Sequence, residues 1–309
     1  MFKKVHRIGR EWAEVAYNLC FNRPIGYIYM FHMVCPKTDL LSPIDDLRVS
    51  PEFFEAFLTK QQKRVDFISI DDVPFRMTSH KRGNKPFGVI TFDDGYEDNF
   101  TYAYPILKKL GIPFVIYVSS GLVKDHTPIW NFPLIIERVV KKNSELDING
   151  IHYVSLTPVQ KNETFLKLKG LLFSLPYEKM LNNFKQLFAE YLTDDIFPKN
   201  TLNWQQVEEL SKDYLCTIGC HTMSHCRLTI TDTNALEYEL LQSKNVLEQH
   251  IGKSVEHLSY PYGWKSDVSD VAIEYAKKIG YKTALRSFGG PIREKDTDLY
   301  QLKRIMIHE

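Results

Sequence analysis

No stretch of this sequence stays apolar long enough to cross a bilayer. The most apolar early run, PIGYIYMFHMV at 24–34, is far short of the roughly 20 residues a spanning helix needs. No C-x-x-C pair occurs among the five cysteines (Cys20, Cys35, Cys216, Cys220, Cys226), and their number is odd. That argues against a disulfide framework or a structural zinc knot and suits a reducing compartment. Neither sign of charge dominates: 39 Lys plus Arg stand against 38 Asp plus Glu, a net charge of +1, so no large field attracts a phosphate backbone or an anionic membrane. The basic start, MFKKVHRIGREWAEVAYNLC, is interrupted by Lys, Arg or Glu every three or four residues and lacks the continuous apolar region of a secretory signal. The expectation is a cytoplasmic protein. Internal repeats and low-complexity tracts are also missing.

What is present is the composition of an ordinary globular protein, 44% hydrophobic and 25% charged over 309 residues, enough for one large core or two smaller ones. Residues 2–17 set Phe2, Val5, Ile8, Trp12, Val15 and Ala16 at helical spacing opposite Lys3, Lys4, Arg7, Arg10 and Glu11. This predicts an N-terminal amphipathic helix over 1–24, packed on the domain or offering a peripheral membrane contact. From residue 25 onward, strand-like runs alternate with helical ones. GYIYMFHMV reads as a first strand, and DFISIDDV as a short one. FGVITF follows, then a helix capped by Asp98 or Asn99 and ended by Gly111. PFVIYVSS has the continuous hydrophobicity of a buried parallel strand. From about 130 to 200 the rhythm becomes helical, with one extended piece at HYVSL, and reads as an insertion. Afterwards YLCTIG, HLSYPYG, YKTALRS and LKRIMIH alternate with helices, the first helix carrying a capping box of Asn203 and Gln206. Such alternation implies a parallel sheet, open or closed.

Reactive groups of parallel α/β folds collect where strands end. Three strand ends here are unusually polar. Asp93-Asp94-Gly95 by itself reads as a turn. His221 and His225, in HTMSH, stand at i and i+4, a spacing that brings both imidazoles to one side of a helical turn. SYPYG, 259–263, is a proline-fixed turn that can aim a backbone N–H and an aromatic ring. Taken together, one carboxylate and two histidines form a three-ligand metal set with positions left open. The second carboxylate is then available as a base for metal-assisted hydrolysis.

TFDDGY (91–96), HTMSH and YPYG (260–263), in that order and each at a strand end, resemble the polysaccharide deacetylases, the carbohydrate esterase family that shares the NodB homology domain. The resemblance covers about 25–307 apart from the insertion, within a barrel domain expected over 25–309. It implies an α/β fold, a distorted (β/α)7 TIM-like barrel, and a divalent metal, Zn2+ foremost, with Co2+ or Ni2+ as alternatives. It further implies Asp93 as general base, Asp94, His221 and His225 as metal ligands, Thr222 as a support for the metal loop, and the Tyr262 N–H as an oxyanion donor. The reaction implied is removal of an acetyl group from an N-acetylated sugar of a glycan or of its lipid-linked precursor, with no nucleic acid involved.

The sequence departs from the family pattern in places. Where relatives carry an arginine that orients the base, two residues before the motif's proline, this chain has Ser259; Arg286, Arg304 and Arg227 are the substitutes it offers. The family's Asp-Trp segment is not recognisable in YKTALRSFGG, and Trp264 is a substitute sugar-stacking surface. Met306-Ile307-His308 is the nearest match to the final motif, making His308 the expected acid. His32, closing the first strand, is expected to line the pocket. Two other readings remain: the same fold acting on non-sugar amides, and a silent carbohydrate-binding protein, the latter motivated by the missing arginine.

Overall fold

The computed structural model describes residues 23–36, 47–81, 83–123, 131–175, 179–197 and 199–309. The expected N-terminal helix lies outside the described residues. Seven strands form the centre: β1 (Pro24–Phe31), β2 (Phe87–Phe92), β3 (Phe114–Val118), β4 (Cys216–Cys220), β5 (His257–Ser259), β6 (Thr283–Gly289) and β7 (Leu302–Met306). Hydrogen bonding runs β1-β7-β6-β5-β4-β3-β2, and β2 pairs again with β1, so the parallel sheet closes on itself. Gly26 sits opposite Phe87 and Phe31 opposite Phe92 in that closing register. This is the distorted (β/α)7 barrel, and it resolves the choice between an open and a closed sheet.

Alternation of side chains along each strand explains both faces of the wall. Ile28, Phe87, Val89, Val115, Tyr117, Leu285 and Leu302 point inward and form one buried cluster. Phe31, Ile90, Phe92, Ile116, Ile218 and Leu258 point outward, against helix residues such as Leu107, Leu210 and Leu247. Glycine makes room for the largest inward rings: a Cβ on Gly26 would stand 2.1 Å from the Phe87 ring, and one on Gly219 would stand 2.4 Å from Tyr117. At the barrel's N-terminal end, buried His257 has both ring nitrogens engaged, 2.8 Å from Thr283 Oγ1 and 2.8 Å from Asp71 Oδ1. It is a satisfied structural histidine.

The capping box of Asn203 and Gln206 forms, and Gly111 ends its helix with φ of +64°. Asp98 does not cap as expected. The chain there makes a wide π-type turn over Asn99–Ala103, and the Asp98 carboxylate instead accepts the Val34 N–H at 3.0 Å. Burial raises its pKa to about 7. The strand expected at DFISIDDV is reduced to Asp66–Phe67 because Ser69 caps a 3₁₀ turn at Ile70–Asp72.

Between β3 and β4 the described part of the insertion holds helices α1 (Phe132–Lys142), α2 (Pro158–Ser174) and α3 (Met180–Leu187). The extended piece is one arm of an antiparallel hairpin, Glu145–Ile148 with Ile151–Val154. These elements have their own core, including Ile135, Val139, Leu168, Phe184 and Phe188. Phe184 stacks on Phe188 at 4.3 Å and meets Phe132 at 4.7 Å. Phe184→Ala is expected to destabilise this sub-core by about 3–5 kcal/mol. Hydrogen exchange should then speed up in α2 and α3 while the barrel strands keep their protection. Equal acceleration in β2 and β3 would show that the insertion is not a separate packing unit.

Candidate active site

The inward alternation that fills the barrel with Val89 and Tyr117 continues past the C-terminal strand ends, where it turns polar. Thr91 and Asp93 follow Val89, His221 follows Gly219, Ser259 follows His257, Arg304 follows Leu302, and Met30 and His32 follow Ile28. Of these, Met30, His32, Asp93 and His221 line a cleft of about 380 Å³ together with Asp94, His225, Tyr262 and Trp264, while Thr91, Ser259 and Arg304 are buried in the wall.

Asp94, His221 and His225 offer ligand atoms that lie within 4.8 Å of one another. Asp94 Oδ1 is 3.2 Å from His221 Nε2 and 3.0 Å from His225 Nε2. These contacts are close without being aligned as hydrogen bonds, and Asp94 Oδ1 is a buried oxygen with no hydrogen-bond partner among the described residues. His221 Nδ1 faces the Ser259 carbonyl at 2.7 Å and must donate to it, so neutral His221 turns the Nε2 lone pair toward Asp94. Two acceptors facing each other at this distance call for a cation between them. The donor set, two imidazoles and a carboxylate, fits a divalent ion of the zinc type. Without a cation, burial works against the Asp94 charge, and only protonated His225 and His221 would outweigh it and hold its pKa well below the ordinary carboxylate range.

The two histidines do not come from a helical turn. HTMSH is an irregular loop with Thr222 at φ +67° and His225 at φ +55°. Asp94 (φ +72°) and Tyr262 (φ +61°) are also left-handed, so four of the five such non-glycine residues described belong to this site. This conformation is strained for residues with a Cβ and survives only where the surroundings enforce it. Glu239, fully buried, supplies much of that enforcement: Oε2 accepts the Met223 and Ser224 N–H groups, each at 3.0 Å, and Oε1 accepts the Ser224 hydroxyl at 2.6 Å. Ser119 Oγ donates to the His221 carbonyl at 2.8 Å. The hydroxyl of Thr222, expected to hold this loop, is buried without a partner among the described residues; its carbonyl takes part, accepting from Ser120 N.

Asp93 is separated from this set by its arginine. Arg304 Nη1 donates to Asp93 Oδ1 at 2.7 Å and Nη2 to Oδ2 at 2.6 Å, a two-pronged pair buried from solvent. Arg304 Nε is anchored on the Arg286 carbonyl at 2.7 Å, exposed by an irregularity in the β6–β7 register between Leu285 and Gly289. Ser259 Oγ accepts from Arg304 Nη2 at 2.9 Å and donates to Asp93 Oδ2 at 3.2 Å. Of the three arginines offered by the sequence, Arg304 is therefore the one that meets Asp93. Arg286 bonds Gln301 and the Trp264 carbonyl, and Arg227 pairs with Asp267. Burial works against the Asp93 charge, but Arg304 and His221 outweigh it and lower its pKa.

Tyr262 packs its ring on His225 at 4.9 Å, and its backbone N–H has no hydrogen-bond partner among the described residues. Trp264 is 60% exposed at the cleft mouth and lies flat on Phe288, 4.7 Å between ring centres. His32 lines the cleft; its Nδ1 is buried without a partner, and burial lowers its pKa against the pull of Asp94 and Asp93. His308 is not brought to the cleft. Met306 occupies the lining, and two residues later β7 has ended and His308 is exposed. The sequence reading also missed a wall contributed by the insertion, where α2 sets Phe165, Lys169 and Phe173 against the cleft. Their spacing of four residues was the available signal.

These groups sit at the C-terminal rim of a closed parallel (β/α)7 barrel. The chain belongs to the polysaccharide deacetylase family, whose sequence model matches residues 80–169 and 176–284. It is 32% identical over 159 residues to YxkH of Bacillus subtilis (strain 168), itself named for that family; the match spans 49% of this chain and 53% of the relative's length. Among solved structures, the Streptococcus pyogenes deacetylase PplD in complex with acetate superposes with a TM-score of 0.59 at 18% identity, over 93% of this chain and 94% of that one. IcaB from Ammonifex degensii gives 0.57 at 16% identity, over 92% of each chain. At such identities the likeness concerns the fold.

Arg304→Met is expected to cost about 3–5 kcal/mol, because it leaves the Asp93 carboxylate buried and unpaired. With the arginine gone, burial dominates and the Asp93 pKa rises. Wild type keeps the benefit of the pair above the carboxyl's unfolded pKa of about 3.9 and loses it as pH falls through the lower folded value. The variant should lose its charged carboxylate at a higher pH, so the acidic limb of any Asp93-dependent activity moves up. An unmoved limb in a folded variant would remove Arg304 from this role.

Proposed function

We propose that this chain is a metal-dependent deacetylase acting on an N-acetylated sugar of a poly- or oligosaccharide or of its lipid-linked precursor. The observation that carries the proposal is a buried, arginine-held carboxylate, Asp93, next to a convergent carboxylate and two histidines. Asp94, His221 and His225 would hold Zn2+, which supplies Lewis-acid polarisation of an acyl carbonyl and acidification of water. Asp93, ionised at neutral pH, takes a proton from the attacking water as its oxygen bonds to the acetyl carbon. The Tyr262 N–H, with no other partner among the described residues, donates to the carbonyl oxygen as negative charge develops there. As the C–N bond breaks, the departing nitrogen needs a proton. Asp93, carrying the proton it took from water, can return it to that nitrogen, with His32 lining the cleft beside it; His308 lies outside the cleft. Trp264 offers a flat apolar face for a sugar ring, which favours a glycan over a small amide.

Zinc-loaded protein is expected to release acetate from N-acetylglucosamine oligomers, and a chelator should abolish release until zinc is restored. Asp93→Asn should lower kcat by roughly 10²–10⁴-fold. Full activity in Asp93→Asn would reject Asp93 as the base. Sugar and zinc binding by wild type without acetate release would favour the silent binding protein instead.

A further inference from the structure

The chain's own charges divide the cleft lining into neutral pairs and one remainder. Arg304 neutralises Asp93, and Arg227 neutralises Asp267 at 2.7 Å. Both Asp267 oxygens are engaged, Oδ1 by Arg227 and Oδ2 by the Trp264 N–H at 3.0 Å. Asp94 is committed to the cation site. Lys169 is left over. Its ammonium has no hydrogen-bond or carboxylate partner among the described residues. It stands instead 5.9, 5.7 and 5.8 Å from the ring centres of Phe165, Phe173 and Tyr262.

This placement is built into the helix. Phe165, Lys169 and Phe173 follow one another at i, i+4 and i+8 along α2, whose N-terminus is fixed by a capping box of Thr157 and Gln160. Phe173 also meets the Tyr262 ring edge-on at 4.8 Å, and the Arg227 guanidinium lies 5.1 Å from its centre. The lysine is therefore held over the ring of Tyr262, the residue whose N–H is proposed to meet the acyl oxygen, in apolar surroundings where an ion pair is stronger than in water.

We propose that Lys169 forms an anion subsite beside the acyl site, so that the preferred substrate is an acetamido sugar bearing a phosphate or carboxylate next to the reacting group. The subsite rests on the deacetylase reading for its substrate, although its binding role can be measured without turnover. The probes are N-acetylglucosamine 1-phosphate, N-acetylmuramic acid and the neutral methyl N-acetylglucosaminide, titrated calorimetrically into the metal-free and the zinc-loaded protein. At least one charged sugar should bind roughly 10- to 100-fold more tightly than the neutral one, as expected of a hydrogen bond between charged groups. Which of the two does so tells a phosphate from a carboxylate. In Lys169→Met, which keeps the apolar stem, the charged-to-neutral affinity ratio should fall to about one; Lys169→Arg should preserve it. Equal affinities in wild type, or a preference that survives Lys169→Met, would overturn the proposal. Preferential binding without acetate release would leave the subsite standing and remove the deacetylase reading. Acetate release with equal affinities would do the reverse.

Discussion

The Asp93–Arg304 pair is the interaction on which the site depends. A carboxylate at the top of a barrel filled by Val89, Tyr117 and Leu285 is desolvated by its surroundings, and it stays charged only if a cation meets it with good geometry. Arginine suits the task because its planar fork engages both oxygens at once. Its remaining donors are used on the Arg286 carbonyl, Thr91 and Ser259, so the guanidinium is satisfied on every side. Ser259 stands between the partners, accepting from one and donating to the other. The pair thus fixes the carboxylate plane and ties β7 to β2 across the barrel.

Around that pair the site is assembled from backbone that local preference alone would not choose. Asp94, Thr222, His225 and Tyr262 all sit in the left-handed region, which turns two adjacent aspartates to different tasks and brings histidines from an irregular loop to one point. The strain is met by Glu239, which occupies three donors of the histidine loop, and by the close passage of Gly121 under Met223, where a Cβ would lie 2.6 Å from the Met223 carbonyl.

Much of this was legible in the sequence. Strand and helix alternation gave the parallel sheet, Asn203 and Gln206 gave a helix start, and the polar strand ends pointed to Asp93, Asp94, His221 and His225. Closure of the barrel was implied by the family resemblance and is borne out; strand and helix alternation alone left the sheet open or closed, because the closing pairing depends on three-dimensional register. The choice of Arg304 among three arginines was hidden for the same reason, although Leu302, Arg304 and Met306 share one strand face and so mark a buried arginine once the strand is placed. His308 misled because motif position outweighed the fact that β7 ends at Met306. Glu239 gave no motif signal, and Lys169 gave only its four-residue spacing from Phe165 and Phe173; each acts through tertiary packing.

The separation of Asp93 from Arg304, 211 residues, also has a meaning in time. At synthesis rates of about 5–20 residues per second, Asp93 is made roughly 10–40 s before the arginine that neutralises it. Over that interval the first half of the barrel cannot bury its carboxylate at low cost. Arrival of β7 both closes the wall and discharges this electrostatic debt. The last strand therefore acts as a checkpoint in folding: a chain interrupted before it keeps an open sheet and a hydrated, unoriented aspartate.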